Sequence, residues 1–237
     1  MAENKTPLQV IAMHGWGRDA RTWEPWQKAT APLGWRWQTG ERGYSRFSPC
    51  VPHWSEHASG TRRLVIGRSL GPHMVLADVF READTVVLLA SFATFVLPGR
   101  EGRRTRAALD GMAACLEDET RARAMLEVFT ARVAEPQSPD LLPPGPLDGL
   151  LSEDNRSRLR EDLDLLARCD GLPTGFPRGA RVLIVEGEED RIVEPEARRM
   201  LRGALPEADV ITLPGVGHAL LAGEVIDRVV EWVEARR

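Results

Sequence analysis

The pentapeptide Gly67-Arg68-Ser69-Leu70-Gly71 sets a serine between two glycines at the end of an apolar run, VIGRSLGP over 65–72. Its surroundings give that spacing a chemical reading. RLVIG ahead has the composition of a buried strand, and LGPHMVLADVF behind it has the pattern of a helix. A strand–turn–helix joint of this kind lifts a hydroxyl above the carboxyl end of the strand, where it can act as a nucleophile. Glycines two before and two after let the chain make the strained turn and let strand and helix approach closely. The same pattern also suits a phosphate-binding or merely tight strand-to-helix turn, so Ser69 keeps two readings until partners are found.

A serine hydroxyl is inert at neutral pH without a base, and the base needs an acid to orient it and stabilise its cation. RVLIVEGEEDRIV ends a buried run and offers Glu188, Glu189 and Asp190 in the next loop; DVITLPGVGHALL ends the following run and offers His218. The Gly187-x-x-Asp190 spacing favours the aspartate, with Glu188 and Glu189 as rivals or solvated loop charges. A tetrahedral intermediate also needs two N–H donors for its oxyanion. The amide of Leu70, at the N-terminus of its helix, is one candidate. The other is Trp16 in His14-Gly15-Trp16-Gly17, whose flanking glycines free its backbone to turn inward. His14 is a base by type, but its place at a strand end suits a structural hydrogen bond. His53, His57 and His73 fit no motif.

These residues need a frame. Six β-rich runs recur, each followed by a turn signal: 8–15, 35–40, 63–67, 85–91, 181–187 and 209–215. Several are continuously apolar, as strands buried on both faces of a parallel sheet require. Helical spacing marks 70–82 and 222–236. The alternation predicts an α/β fold, a mostly parallel sheet of about six strands flanked by helices. Residues 92–172 interrupt it. One or two amphipathic helices, a proline-rich connection (EPQSPDLLPPGPLDG) and a further helix capped by Ser152 read as a helical lid inserted into a core made of 1–91 and 173–237.

Composition sets bounds. The 237 residues are 43% hydrophobic, enough for a full core, and no apolar run approaches the roughly 20 residues of a membrane span. The three cysteines, Cys50, Cys115 and Cys169, are odd in number and widely spaced, which points to a reducing cytosol rather than disulfides or zinc. No basic-then-apolar leader opens the chain, and a net charge of −4 gives no reason to expect nucleic acid. Of the 31 basic residues, 29 are arginine, so a cluster of arginines carries less meaning here than elsewhere.

Four signatures in order, HGWG (14–17), GRSLG (67–71), GEEDRIV (187–193) and GVGHALL (215–221), resemble the α/β-hydrolase superfamily. The resemblance organises nearly the whole chain and implies the order nucleophile, acid, base: Ser69, Asp190, His218. HGWGRDARTW (14–23) and LDLLARCDGL (163–172) are further similar to the biotin-pathway carboxylesterases that demethylate pimeloyl-[acyl-carrier protein] methyl ester, the BioH type.

That closer likeness implies a cytoplasmic serine carboxylesterase, a monomer needing no metal or organic cofactor, acting on an acyl ester presented by acyl-carrier protein. An apolar acyl channel would draw on Phe92, Phe95, Met112, Leu116, Met125 and Phe129, although these equally suit the lid's own core. Spacings of three and four put Arg100, Arg103 and Arg104 on one helical face, which could meet an acidic carrier. Residues 100–134 as a whole carry seven arginines against six acids, which weakens that reading. A thioesterase, lipase-like esterase or acyltransferase uses the same constellation, and a non-catalytic binding protein of this fold needs none of it. The chain departs from the superfamily's pattern by beginning directly at the strand before HGWG, by a short polar stretch (39–63) where a helix usually lies, and by Pro72 after Gly71. Proline is tolerated in a helix's first turn.

Overall fold

The computed structural model describes residues 7–55 and 60–235, so His57 lies outside the described residues. Six parallel strands form one sheet in the order β2-β1-β3-β4-β5-β6: β1 (Leu8–Met13), β2 (Arg36–Thr39), β3 (Arg62–Arg68), β4 (Thr85–Leu89), β5 (Arg181–Gly187) and β6 (Asp209–Leu213). All six predicted strands are present. The four inner strands are almost wholly buried and the two edge strands largely are not. That is the burial expected where helices cover both faces of a parallel sheet.

Alternate side chains of each inner strand feed opposite layers. Val10 and Ala12, Leu64 and Ile66, and Leu183 and Val185 pack with Trp23 and Trp26 and with Val225, Val229 and Val233. The tryptophans flank and open helix α1 (Glu24–Thr30). The valines recur every four residues along α7 (Glu224–Glu234), so one stripe of that helix is buried. Ile11, Val65, Val86 and Ile184 face the other way, onto Phe80 of α2 (Ala77–Arg81) and Leu201 of α6 (Pro195–Ala204).

Between β4 and β5 stand three helices, α3 (Arg103–Cys115), α4 (Glu119–Ala134) and α5 (Glu153–Arg168). Ser152 caps α5 as expected: its hydroxyl accepts from the amide of Asn155, whose side chain accepts in return from the amide of Ser152. Leu109, Leu126, Leu159 and Leu163 from these helices form a third apolar cluster with Trp16 and Leu70 from the sheet's loops. Asp162 ties the cluster down. Only 2% exposed, it accepts two bonds of 2.7 Å from the guanidinium of Arg42 and one of 2.5 Å from the hydroxyl of Tyr44. Asp162→Ala would leave Arg42 without its carboxylate and the fully buried Tyr44 with only its 3.8 Å contact to Sδ of Met74. It is expected to cost about 3–5 kcal/mol in chemical denaturation.

Residues 70–82 are not one helix: a four-residue 3-10 turn (Gly71–Met74) is followed by extended Val75 and Leu76 before α2 begins. His73 is pinned sideways, its ring stacked on Phe92 and its Nε2–H bonded to the Phe92 carbonyl at 3.0 Å, which holds the chain off the helical path. Nor does Arg100 share a helical face with Arg103 and Arg104. It lies in the turn before α3, whose N-cap is Gly102, a position where a Cβ would sit 1.9 Å from the Leu97 carbonyl oxygen. Helices α1 and α6 were not singled out from sequence, although Pro at the first or second position marks both starts. Among the described residues no helix is long and apolar enough to cross a membrane.

Candidate active site

Parallel pairing in near-flush register, with Met13 beside Gly67, Arg68 beside Leu89, and Gly187 beside Leu213, brings the loops after β1, β3, β4, β5 and β6 to one edge. Such an edge is where open α/β sheets hold their ligands. Ser69 stands there in a left-handed conformation, φ 52°. A non-glycine residue in that region must be held by its surroundings. The hold is explicit: the Ser69 amide donates to the Leu89 carbonyl at 2.9 Å, and the hydroxyl of Ser91 donates to the Ser69 carbonyl at 2.8 Å. Gly71 lets the turn close on β1, since a Cβ there would lie 2.3 Å from the Met13 carbonyl oxygen.

Asp190 and His218 meet. Nδ1–H of His218 donates to Oδ2 of Asp190 at 2.9 Å, and both side chains are buried. The other carboxylate oxygen accepts the amides of Ile192 at 2.8 Å and Val193 at 3.0 Å. Burial by itself would push the Asp190 carboxyl up, but the His218 imidazole and those two amides outweigh it and hold the pKa below the usual value. The carboxylate therefore stays ionised throughout the neutral range, and the stability it adds is lost only as pH falls through that lowered value. Glu188 and Glu189 are exposed, so the acid beside the histidine is Asp190. The amides of Glu188 and Glu189 bond to the carbonyls of Leu213 and Val216, latching the acid's loop to the histidine's loop.

The helical insertion reaches the same loop. The Ala219 amide donates to the Val133 carbonyl near the end of α4, and a Cβ at Gly217 would meet the Glu135 carbonyl oxygen at 1.7 Å. Nothing in the glycine-flanked sequence announced this clasp.

Ser69 and His218 line one cavity of about 600 Å³, without a hydrogen bond between their side chains. Hydrogen bonds of this kind are commonly loose before a substrate is bound. Trp16 lines the cavity too, its indole N–H bonded to the Leu159 carbonyl at 2.8 Å and its ring edge-on to Phe129. Among the described residues, the backbone amides of Trp16 and Leu70 donate to no protein oxygen; Trp16 lines the cavity, and Leu70 is fully buried behind Ser69 without lining it. Leu70 precedes only the short 3-10 turn, so the support of a full helix that the sequence suggested is missing.

Of the residues expected to line an acyl channel, Phe95, Met112 and Phe129 do so. Phe92 and Leu116 are buried beside it in the third apolar cluster, and Met125 is partly buried against that cluster. Arg104 lines the cavity, whereas Arg100 and Arg103 are exposed away from it. His14 is fully buried, its Nδ1–H bonded to the Gly15 carbonyl and its Nε2 accepting from the Arg42 amide, which leaves it a structural part. His53 is exposed. Sequence reasoning passed over Ser91, Arg18 and Arg68, the last of which sits inside the motif itself.

No family model matches the chain, and no curated protein matches it. Solved structures do. An esterase from Thermogutta terrifontis with malate bound aligns over 97% of this chain and 90% of its own, at 16% identity and a TM-score of 0.67. A bromoperoxidase from Bacillus anthracis aligns over 98% and 91%, at 18% identity and a TM-score of 0.65. MGS-M2, an α/β hydrolase from a Medee basin deep-sea metagenome, aligns over 99% and 90%, at 14% identity and a TM-score of 0.66. The chain has the α/β-hydrolase fold.

Proposed function

We propose that the protein is a serine hydrolase acting on carboxylic esters. The observation that supports this most is the buried 2.9 Å bond between His218 and Asp190, opening onto the same cavity as a serine held at φ 52°. In this reading Ser69 Oγ attacks the ester carbonyl while His218 Nε2 takes its proton. The amides of Trp16 and Leu70 hold the developing oxyanion. His218 then protonates the departing alcohol. A water, deprotonated by the same imidazole, attacks the acyl-enzyme and releases the carboxylic acid and free Ser69. Asp190 keeps Nδ1 protonated throughout and stabilises the imidazolium. The chemistry needs no metal or organic cofactor.

The finer reading is the methyl ester of pimeloyl-[acyl-carrier protein], hydrolysed in the cytoplasm by a monomer. It rests on HGWGRDARTW and LDLLARCDGL and on a cavity wall of Phe95, Met112 and Phe129 with Arg104 beside them. Two measurements test the two levels. A fluorophosphonate is expected to modify Ser69 in the folded protein, and its failure to do so would remove the enzyme reading. A strain blocked in pimeloyl-ester demethylation is expected to grow without biotin when given this chain, and to lose that rescue with Ser69→Ala. Absence of rescue by soluble wild-type protein would leave an esterase of another acyl group.

A further inference from the structure

Two arginines stand on the wall of the Ser69 cavity with no carboxylate to pair with among the described residues. Arg18, in the loop after β1, is 9% exposed, and the one hydrogen bond of its guanidinium goes to the Pro143 carbonyl. Arg68, the last residue of β3 and the neighbour of Ser69, donates to the His218 carbonyl at 3.2 Å and to nothing else. Both line the cavity together with Gly15, Trp16 and Ser69.

Elsewhere the fold pairs its buried guanidinium groups. Arg21 bonds Asp19 and Asp148, and Arg63 bonds Glu82. Burial, reinforced by the charge of Arg18, pulls Arg68 down to about 10; burial also lowers Arg18, against the opposing fields of Asp19 and Asp148, both of which are already bonded to Arg21. Asp190, the acid whose field reaches Arg68, is already committed to His218 and two amides. The remaining charges on the wall are Arg104, Arg132 and Arg191 against Glu101 and Glu194; Arg191 is paired with Glu135, and Glu194 accepts the hydroxyl of Thr105. Neither Glu101 nor Glu194 forms an ion pair with Arg18 or Arg68. A carbonyl oxygen could be held equally well by a neutral donor, so bonding Pro143 and His218 does not account for a buried and a half-buried positive charge on one wall. A planar anion accepting from both forks does.

We infer that the cavity takes an ester that also carries a free carboxylate, a dicarboxylic acid monoester in its simplest form, with that carboxylate held by Arg18 and Arg68. This rests on the hydrolase reading of Ser69 and not on the carrier-bound substrate, since a pimeloyl-carrier methyl ester presents no charge beside its ester.

The test uses pairs of equal chain length, mono-p-nitrophenyl glutarate against p-nitrophenyl pentanoate and mono-p-nitrophenyl adipate against p-nitrophenyl hexanoate. For the wild-type protein the charged member of at least one pair is expected to show the higher kcat/KM, by ~10-fold or more. Arg18→Gln is expected to bring that ratio down toward one, and Arg18→Lys to keep part of it; melting curves establish that each variant is folded. Turnover of the neutral esters with no preference for the charged ones overturns the inference and leaves the hydrolase reading intact.

A second measurement does not depend on turnover. Calorimetric titration of glutarate into Ser69→Ala is expected to show binding that weakens ~10-fold when Arg18→Gln is added. Absent binding, equal binding in the two proteins, or tighter binding of inorganic phosphate than of glutarate overturns the carboxylate assignment. Arg18-dependent glutarate binding in a wild-type protein whose Ser69 resists fluorophosphonate would remove the esterase and leave the carboxylate site standing.

Discussion

Ser69→Ala is expected to lower kcat on any ester the protein hydrolyses by roughly 10⁶-fold, with no loss of the folded state. The residual rate would come from the oxyanion donors and from binding alone. Ser69→Gly extends the test to the backbone. Both variants lack the hydroxyl, but alanine keeps a Cβ at φ 52° and glycine does not. The glycine protein is therefore expected to be the more stable of the two, by about 1 kcal/mol, because the left-handed region costs an L-residue that much. Thermal melts of the pair read the strain directly, and single-turnover kinetics read the chemistry. An alanine variant with near wild-type turnover would mean that Ser69 is only a tight turn. Equal stability of the two variants would mean that the bonds from Leu89 and Ser91 impose no strain.

Gly71→Ala tests the turn rather than the nucleophile. Its Cβ would lie 2.3 Å from the Met13 carbonyl oxygen and 2.9 Å from that of His14, and both are backbone atoms at the end of β1. Strand β1 is bonded on both sides, to β2 and β3, and cannot retreat. The displacement must therefore be taken by the segment that carries Ser69 and the amide of Leu70. The expected cost is about 3 kcal/mol of stability, at the upper end for an overpacked interior. A shift near 1 Å at the nucleophile would add a loss of about 10²-fold in kcat. Gly15→Ala makes a graded comparison, since its Cβ would meet the Cβ of Ser69 at 3.1 Å, a contact that a small adjustment relieves. Denaturation midpoints and kcat for the two alanine variants should fall in that order. A Gly71→Ala protein with wild-type stability and turnover would show that the elbow is more pliable than its packing implies.

Much of the sheet was legible in the sequence because burial of both faces leaves a local mark. VLIV (182–185) and VVLL (86–89) are apolar without alternation, and only a strand covered on each side can use such a run. The acid and base were legible for a related reason: each follows one of those strands within a few residues, and parallel strands end at the same edge. Asp190 is not set apart from Glu188 and Glu189 by local pattern alone. Those residues are neighbours in sequence, and only the turn from Gly187 to Asp190 sends the third acid inward and leaves the first two in solvent.

What the sequence concealed depended on contacts between distant segments. Residues 70–82 have helical spacing, yet His73 is drawn to Phe92 on the loop after β4, and the helix gives way to a 3-10 turn. Arg100 lies three residues from Arg103, but Gly102, packed against the Leu97 carbonyl, is the N-cap of α3 and leaves Arg100 outside the helix. Strand order along the chain, the buried faces, and a serine, an aspartate and a histidine at strand ends were all readable locally, because these follow from short-range pattern and chain direction. The clasp of α4 on the histidine loop, and the sharing of one cavity by Arg18 and Arg68 with no ion-pair partner among the described residues, arise from the folded arrangement. Pairing and its absence depend on which side chains meet across the fold, and no spacing along the chain encodes that.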